Sequence, residues 1–156
     1  MNANLIPQGY TSLTPFLVVN GAAAAIEFYI DVFGATLVEK MTGPDDDTIA
    51  HAELDFGNGR LQLSDPNPAY QLEAPSPGES VTHSTLLYCT HVDDVLARAQ
   101  EAGAKIREPA QTFVTGDRFA SILDPFGQRW SIMTRVEEVD AAERERRLAN
   151  WGAENL

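Results

Sequence analysis

Apolar runs typical of strands and apolar residues at helical spacing follow one another in a fixed order along the first half of the chain. The run LTPFLVVN (residues 13–20) predicts a strand. Apolar residues then recur at helical spacing from Ala22 to Phe33 and stop before Gly34, which is typical of the left-handed residue that ends a helix. Strand patterns follow in ATLVEKM, TIAHAELDF and GRLQLSD. This half therefore predicts a β-α-β-β-β module.

The second half repeats this order. HSTLLYC (residues 83–89) predicts its first strand, a helical apolar spacing ends at Gly103, and AKIREPA, DRFASILD and QRWSIM predict three further strands. When the sequence is shifted by 69 positions against itself, the two halves match without a gap. The matched pairs include Gly34 with Gly103, Glu39 with Glu108, and Arg60 with Arg129. We therefore expect an α+β protein in which one module is used twice.

These patterns predict a single domain with four parts. Module 1 covers about residues 12–64, a proline-rich connector residues 65–82, module 2 about residues 83–134, and a helical tail residues 137–156. In the tail, Asp140 and Glu143 have the spacing of a helix-capping pair, and Leu148 and Trp151 share one face. We expect this helix to pack on its own domain or on a second subunit.

Composition and charge narrow the possible partners. The chain has 156 residues, of which 44% are hydrophobic, enough for one substantial core or two small ones. It carries 11 Lys and Arg against 23 Asp and Glu, a net charge of −12, which disfavours nucleic acid and anionic membranes and favours neutral or cationic ligands. Cys89 is the single cysteine, and there is neither a basic leader nor a long apolar run. We expect a soluble cytoplasmic protein.

Several short motifs occur in a characteristic order on this repeat. They are TPFLVV, AAIEFYIDVFGA, HAEL, GDR (residues 116–118), DPFG (residues 124–127) and WSIMTRVEEV. Together they resemble the vicinal oxygen chelate superfamily of glyoxalases, bleomycin-resistance proteins and extradiol dioxygenases, and within it the PhnB-like branch, over roughly residues 8–139. The resemblance implies two βαβββ modules that form a curved mixed sheet around a cleft, with helices on the outer faces. It also implies a homodimer.

The resemblance further places the metal-ligand positions of metal-dependent members on four residues. These are Thr14, Gln62, His83 and Ser131, and the repeat supports the set because each pair is 69 positions apart. A shift of one residue would put Ser84 in place of His83. Hydroxyls and amides are weak metal ligands without a carboxylate, so we expect no metal and no other cofactor. The alternative is a divalent ion held by Gln62 and His83 with waters.

Alternation along the strands predicts which other side chains face the cleft. In RLQLS the two leucines oppose Gln62 and Ser64, and in RWSIM the apolar Trp130 and Ile132 oppose Ser131 and Met133. By the same alternation, Phe16 is expected to share a face with Thr14, and Thr85 with His83. The predicted cleft residues are Thr14, Phe16, Gln62, Ser64, His83, Thr85, Ser131 and Met133.

The strand AHAEL contains the one pair suited to acid–base catalysis. His51 and Glu53 project from one face, two residues apart, where they could share a hydrogen bond. The alternative is a solvated pair or a pair at a dimer contact. Asp117 and Arg118, which precede a strand pattern, are expected to form an ion pair that braces a turn.

Two functions are compatible with these residues, and a third is structural. The first is a metal-free module that binds a small organic molecule, as bleomycin-resistance proteins do, with a cationic ligand favoured by the acidic balance. The second is an enzyme of glyoxalase or dioxygenase type that uses a metal or the His51–Glu53 pair. The third is a fold that serves only oligomer contacts.

Overall fold

A computed structural model describes residues 5–76, 78 and 80–155. Pro77 and Glu79 of the predicted connector, and Leu156 of the predicted tail, lie outside the described residues. Module 1 contains β1 (Phe16–Val18), α1 (Ala22–Phe33), β2 (Thr36–Thr42), β3 (Ile49–Asp55) and β4 (Arg60–Ser64). Module 2 contains β5 (Thr85–Tyr88), α2 (Val92–Glu101), β6 (Lys105–Thr112), β7 (Asp117–Leu123) and β8 (Arg129–Arg135), and α3 (Ala141–Asn155) follows. The α+β class and the two βαβββ modules predicted from the sequence are confirmed.

Each module forms its own four-stranded mixed sheet. The strand orders are β1-β4-β3-β2 and β5-β8-β7-β6, so the two sheets have the same topology. The first strand of each module is parallel to the last, and the remaining pairs are antiparallel. The chain divides into two compact units: the first runs to Val81 and includes Pro125–Gln128, and the second consists of Thr82–Asp124 and the chain from Arg129 onward.

One face of each sheet is covered by the helix of its module. In the first unit Leu17, Leu54, Leu61 and Leu63 are buried, together with Tyr29 and other apolar residues of α1. In the second unit Ile122, Trp130 and Ile132 are buried, together with Val92, Val95 and Ala99 of α2. The Trp130 indole donates a hydrogen bond to Asp124, with an Nε1–Oδ2 distance of 3.0 Å. The alternation predicted for RLQLS and RWSIM therefore gives the buried faces correctly.

Three hydrogen bonds to Asp65 join α1 to the sheet of the first unit. The amides of Gly21 and Ala22 donate to Asp65 Oδ1, and the amide of Ile49 donates to Asp65 Oδ2, at 2.8–3.0 Å. Asp65 therefore caps α1 from a distant part of the chain, because Gly21 at the N-cap has no side chain to do so. In the second unit Thr134 Oγ1 accepts a hydrogen bond from the amide of Val92 and so caps α2 in the same way.

The C-terminal helix α3 packs on its own module. The amide of Glu143 donates to Asp140 Oδ1 at 2.9 Å, as the predicted capping pair requires. The Trp151 ring meets Phe113 edge-on with a centroid distance of 5.3 Å, and Arg147 donates to the carbonyl of Val114. The first of the two predicted packing arrangements is therefore present. Among the described residues, no helix combines the length and apolar character needed to cross a membrane.

Candidate functional site

The face of the first sheet opposite α1, called here the first open face, carries several of the predicted cleft residues. Phe16 of β1 is paired with Gln62 of β4, and Gln62 is paired with Glu53 of β3, so their side chains lie on the same side of the sheet. The Phe16 side chain is 41% exposed. Thr14 is half-buried just before β1. The structure thus brings Phe16, Gln62 and Glu53 together on a partly accessible surface.

Ser64 does not contribute to this accessible surface. Its residue is 2% exposed, and its hydroxyl donates to the carbonyl of Asp65 at 2.9 Å. Ser64 lies on the predicted side of the sheet, since it is two residues after Gln62 in β4 and is paired with Val18. Its burial at the end of β4 nevertheless makes it a structural residue of the first unit.

Glu53 is the centre of a hydrogen-bond network on the first open face. It is 3% exposed and accepts hydrogen bonds from the Tyr10 hydroxyl, from Arg60, and from Gln62 Nε2 at 3.2 Å. Burial alone would raise the pKa of the Glu53 carboxyl, but the hydrogen bonds from Tyr10, Gln62 and Arg60, together with the Arg60 charge, lower this pKa below its usual value. Glu53 is therefore a carboxylate at neutral pH, with its oxygens engaged.

His51 is near this network but is not part of it. Its ring lies 6.1 Å from the ring of Phe16, centroid to centroid, and it is half-buried. The predicted hydrogen bond between His51 and Glu53 is wrong, because Glu53 takes its described partners from β4 and from Tyr10 instead. Sequence alternation placed the two residues on one face but could not show which neighbours would reach the carboxylate.

The corresponding face of the second sheet, called here the second open face, differs from the prediction by one residue in β5. Leu86 is paired with Ser131 and Tyr88 with Met133, whereas Thr85 is paired with the buried Trp130. Thr85 therefore lies on the α2 side, and its predicted place in the cleft set is wrong. Leu86, rather than Thr85, therefore takes the place in the second sheet that Phe16 has in the first. Relative to the gap-free repeat, β5 is shifted by one residue.

The same displacement selects Ser84 over His83. The hydroxyls of Ser84 and Ser131 lie 2.9 Å apart, so Ser84 is the residue beside Ser131. His83 is exposed, and its Nδ1 lies 3.5 Å from the hydroxyl of Thr82. The prediction of His83 at the ligand-type position is therefore corrected to the alternative, Ser84.

Charged groups of the second open face are paired with each other. Arg129 donates to Glu108 at 2.7 Å, and the Ser121 hydroxyl donates to the same carboxylate. Asp117 is 3% exposed and accepts hydrogen bonds from Arg135 at 2.7 Å and from Tyr88 at 3.3 Å. The predicted ion pair between Asp117 and Arg118 is wrong.

Arg118 instead lies on the opposite side of β7. It is bound to Asp93 of α2 through two contacts of 2.6 Å. This ion pair borders a cavity of about 250 Å³ at the start of α2, lined also by His91 and Thr134. Because adjacent residues of a strand face opposite sides, this cavity is separate from the second open face.

The residues at the metal-ligand positions do not fit a divalent metal. In the first unit Thr14 offers a hydroxyl, and the amide of Gln62 is directed to Glu53. In the second unit Ser84 and Ser131 offer hydroxyls that are bonded to each other. Within residues 5–76, 78 and 80–155, no three His, Cys, Asp or Glu residues are grouped to hold an ion. Neutral oxygen donors alone leave the charge of a divalent cation uncompensated.

Sequence reasoning missed several side chains of the two open faces, among them Tyr10, Arg60, Leu86 and Tyr88. Arg60 had a signal, because it matched Arg129 in the repeat, yet neither was assigned to a site. Tyr10 lies before the repeat, and no sequence pattern indicated that it belongs to a site. Leu86 and Tyr88 were missed because the gap-free match displaced β5 by one residue.

Comparison with known proteins identifies the family. The sequence profile of the glyoxalase/bleomycin resistance protein/dioxygenase superfamily matches residues 10–132. The chain belongs to this superfamily. The protein Rv0887c of Mycobacterium tuberculosis is 34% identical over 149 residues, which cover 90% of this chain and 84% of that protein. The resemblance inferred from the sequence motifs is confirmed.

Solved structures share the superfamily fold. TioX from Micromonospora sp. ML1 is 25% identical with a TM-score of 0.63, over 80% of this chain and 98% of that chain. The PhnB protein from Bacillus cereus, described as a putative 3-demethylubiquinone-9 3-methyltransferase, is 17% identical with a TM-score of 0.61, over 80% and 99% of the two chains. A PhnB protein is thus among the structural neighbours, as the predicted resemblance to the PhnB-like branch implies.

Proposed function

We propose that the protein binds a small organic molecule on the open faces of its sheets, without a metal. The observation that carries this proposal is the composition of those faces. Phe16 on the first and Leu86 and Tyr88 on the second are 41%, 54% and 53% exposed, beside polar groups that are already hydrogen-bonded to one another. Apolar surface with a few fixed polar groups is typical of small-molecule sites.

The pairing of Glu53 argues for binding rather than proton transfer. A lone pair that accepts a hydrogen bond from a protein group is not available to a substrate proton, and a lowered pKa makes the carboxylate a weak base. Arg60 and Tyr10 hold Glu53 in this form. We therefore assign Glu53 the role of a fixed hydrogen-bond acceptor in the proposed site.

The net charge of the chain indicates which ligands and partners it can attract. A net charge of −12 favours a neutral or cationic ligand and opposes nucleic acid and anionic membranes. The proposal includes a homodimer in the cytoplasm, as expected from the superfamily resemblance and from the single cysteine. Size-exclusion chromatography with light scattering measures the oligomeric state.

The test is a ligand screen followed by substitution of Phe16. Neutral and cationic organic compounds are screened by thermal shift, because a ligand that binds only the folded state raises the unfolding temperature. The affinity of a compound that binds is then measured by calorimetry. We expect Phe16→Ala to weaken binding about tenfold, since it removes an apolar contact.

Tyr70→Ala is the matched control, because Tyr70 is a highly exposed aromatic residue of the connector. It should leave the affinity unchanged. Equal affinity of the wild type and Phe16→Ala would contradict a ligand site on the first open face. A stoichiometric, tightly bound transition metal in the same preparation would contradict the metal-free part of the proposal.

An enzyme is the second candidate function, and His51 is the observation that favours it. His51 is half-buried beside Phe16, and its ring makes no hydrogen bond to another described residue, so the ring is available for proton transfer. Conversion of a bound compound that disappears in His51→Ala, while binding is retained, would favour the enzyme over the binding module.

A further inference from the structure

A short segment ahead of β1 lies on the first open face. Residues 5–13 contain neither a helix nor a strand, and their side chains are exposed apart from the half-buried Tyr10. Tyr10 reaches across to β3 and β4, where Glu53 and Arg60 lie. This segment, called here the strap, thus places one phenol ring in the candidate site.

Two contacts hold the phenol of Tyr10. Its hydroxyl donates a hydrogen bond to the Glu53 carboxylate, and its ring lies 4.8 Å, at the centroid, from Cζ of the Arg60 guanidinium. Gly9 fits directly against the same guanidinium, since a Cβ at this position would lie 2.8 Å from an Arg60 nitrogen. The surface around Glu53 and Arg60 is therefore complementary to a phenol.

The strap is weakly tied down. Among the described residues, the strap contacts the sheet through Tyr10 and Gly9, whereas the hydrogen bonds from Tyr10 N to Pro7 O and from Thr11 Oγ1 to Leu13 O lie within the strap. Leu5 and Leu13 are almost fully exposed. With the strap in this position, Arg60 Nε is buried with no hydrogen-bond partner among the described residues. The free-energy cost of burying this unpaired N–H group favours release of the strap.

We propose that Tyr10 occupies a subsite for a phenolic ligand and that such a ligand displaces the strap. The ligand hydroxyl takes the place of the Tyr10 hydroxyl at Glu53, and its ring takes the place of the Tyr10 ring on Arg60. The ligand class is therefore an aromatic ring with a hydroxyl group. This inference rests on the proposed function, because it names the ligand class and the internal competitor of the same site.

The test uses p-cresol, which has the side-chain structure of tyrosine, and toluene, which lacks the hydroxyl. Calorimetry measures the affinity of both compounds for the wild type, Tyr10→Phe and Tyr10→Ala, and hydrogen–deuterium exchange follows the amides of the strap. We expect wild type to bind p-cresol with faster exchange in the strap, and Tyr10→Ala to bind it at least about tenfold more tightly, because the internal competitor is gone.

Tyr10→Phe keeps the ring but loses the bond to Glu53, so we expect an intermediate gain of about threefold. Toluene should bind Tyr10→Ala at least about tenfold more weakly than p-cresol does. Tyr70→Ala is the control and should behave as wild type.

Three results would overturn the subsite. They are no binding of p-cresol to wild type up to about 10 mM, equal affinity for toluene and p-cresol, and p-cresol binding that leaves exchange in the strap unchanged. If any of these results is obtained while the binding of a screened compound still depends on Phe16, the proposed function survives and the phenol subsite fails. If no compound depends on Phe16 either, both fail.

Discussion

At the residue scale, each sheet contains one nearly buried carboxylate neutralised by an arginine. Glu53 is paired with Arg60 in the first, and Asp117 with Arg135 in the second. A carboxylate is tolerated in such a place only when charged hydrogen bonds replace its lost hydration. These pairs keep polar groups on otherwise apolar faces in defined positions.

Asp117 should make stability depend on pH. Burial alone would raise the pKa of Asp117, but Arg135, Tyr88 and Thr115 together lower it below the usual aspartate value. A pKa depressed by folding stabilises the folded state above the unfolded-state pKa of about 3.9, and this contribution is lost as the pH falls through the lower folded-state pKa. We expect Asp117→Asn to reduce the free energy of unfolding at pH 7 by about 1–3 kcal/mol.

Urea denaturation followed by circular dichroism at pH 7 and at about pH 3 measures this effect. The difference between wild type and Asp117→Asn should shrink at the lower pH. Asp31→Asn, on the exposed side of α1, is the control. An unchanged difference at the two pH values would show that Asp117 does not contribute through its charge.

At the element scale, Asp65 connects the start of α1, the start of β3 and the end of β4. One carboxylate accepts three backbone amides, two from the helix and one from the strand. Helix N-termini and strand ends have unpaired amides, so one side chain that serves both sets their relative position. We therefore expect Asp65 to contribute to the stability of the first module.

Asp65→Ala should destabilise the first module. We expect a loss of about 2–3 kcal/mol in the free energy of unfolding, because three amides lose a charged acceptor. Asp65→Asn keeps one acceptor oxygen and should lose less. Urea unfolding measures both variants, and Asp47→Ala in the exposed β2–β3 hairpin is the control. A loss no larger than that of Asp47→Ala would refute the capping role.

At the scale of the whole molecule, α3 is an addition to the repeat rather than a part of it. No residue of α3 is buried, and its contacts with the rest of the second unit include the Phe113–Trp151 ring pair, the Arg147–Glu137 ion pair and the hydrogen bond from Arg147 to the Val114 carbonyl. Regions with little buried apolar surface open without global unfolding. We therefore consider α3 a separately opening unit of the second module.

Trp151→Ala should release α3 and leave the two sheets folded. Loss of the aromatic pair should lower the opening free energy of α3 by about 1–2 kcal/mol. Hydrogen–deuterium exchange should then be faster in residues 141–155 and unchanged in β3 and β8. Arg144→Ala, on an exposed part of α3, is the control. Faster exchange throughout the second module would instead make α3 part of its core.

Much of the fold could be predicted because its signals are local. The helices end before Gly34 and Gly103, both of which have positive φ angles, and Leu61, Leu63, Trp130 and Ile132 are buried as their alternation indicated. These patterns arise from the repeats of 3.6 and 2 residues in helices and strands. The order of elements in both modules follows from them.

The candidate site was predicted less completely because its geometry depends on contacts between distant parts of the chain. Alternation along β4 placed Gln62 beside Phe16, but only the pairing of β5 with β8 showed that Leu86 and Tyr88, rather than His83 and Thr85, share a face with Ser131 and Met133. A shift of one residue reverses the face of every side chain in a strand.

The sequence by itself determined the duplicated βαβββ architecture, the buried faces and the superfamily, because these are encoded in local periodicity and short motifs. Only the tertiary structure decided the register of β5, the caps that Asp65 supplies, and the partners of Glu53. These depend on long-range pairing, since Tyr10 and Glu53 are 43 positions apart and no local pattern relates them.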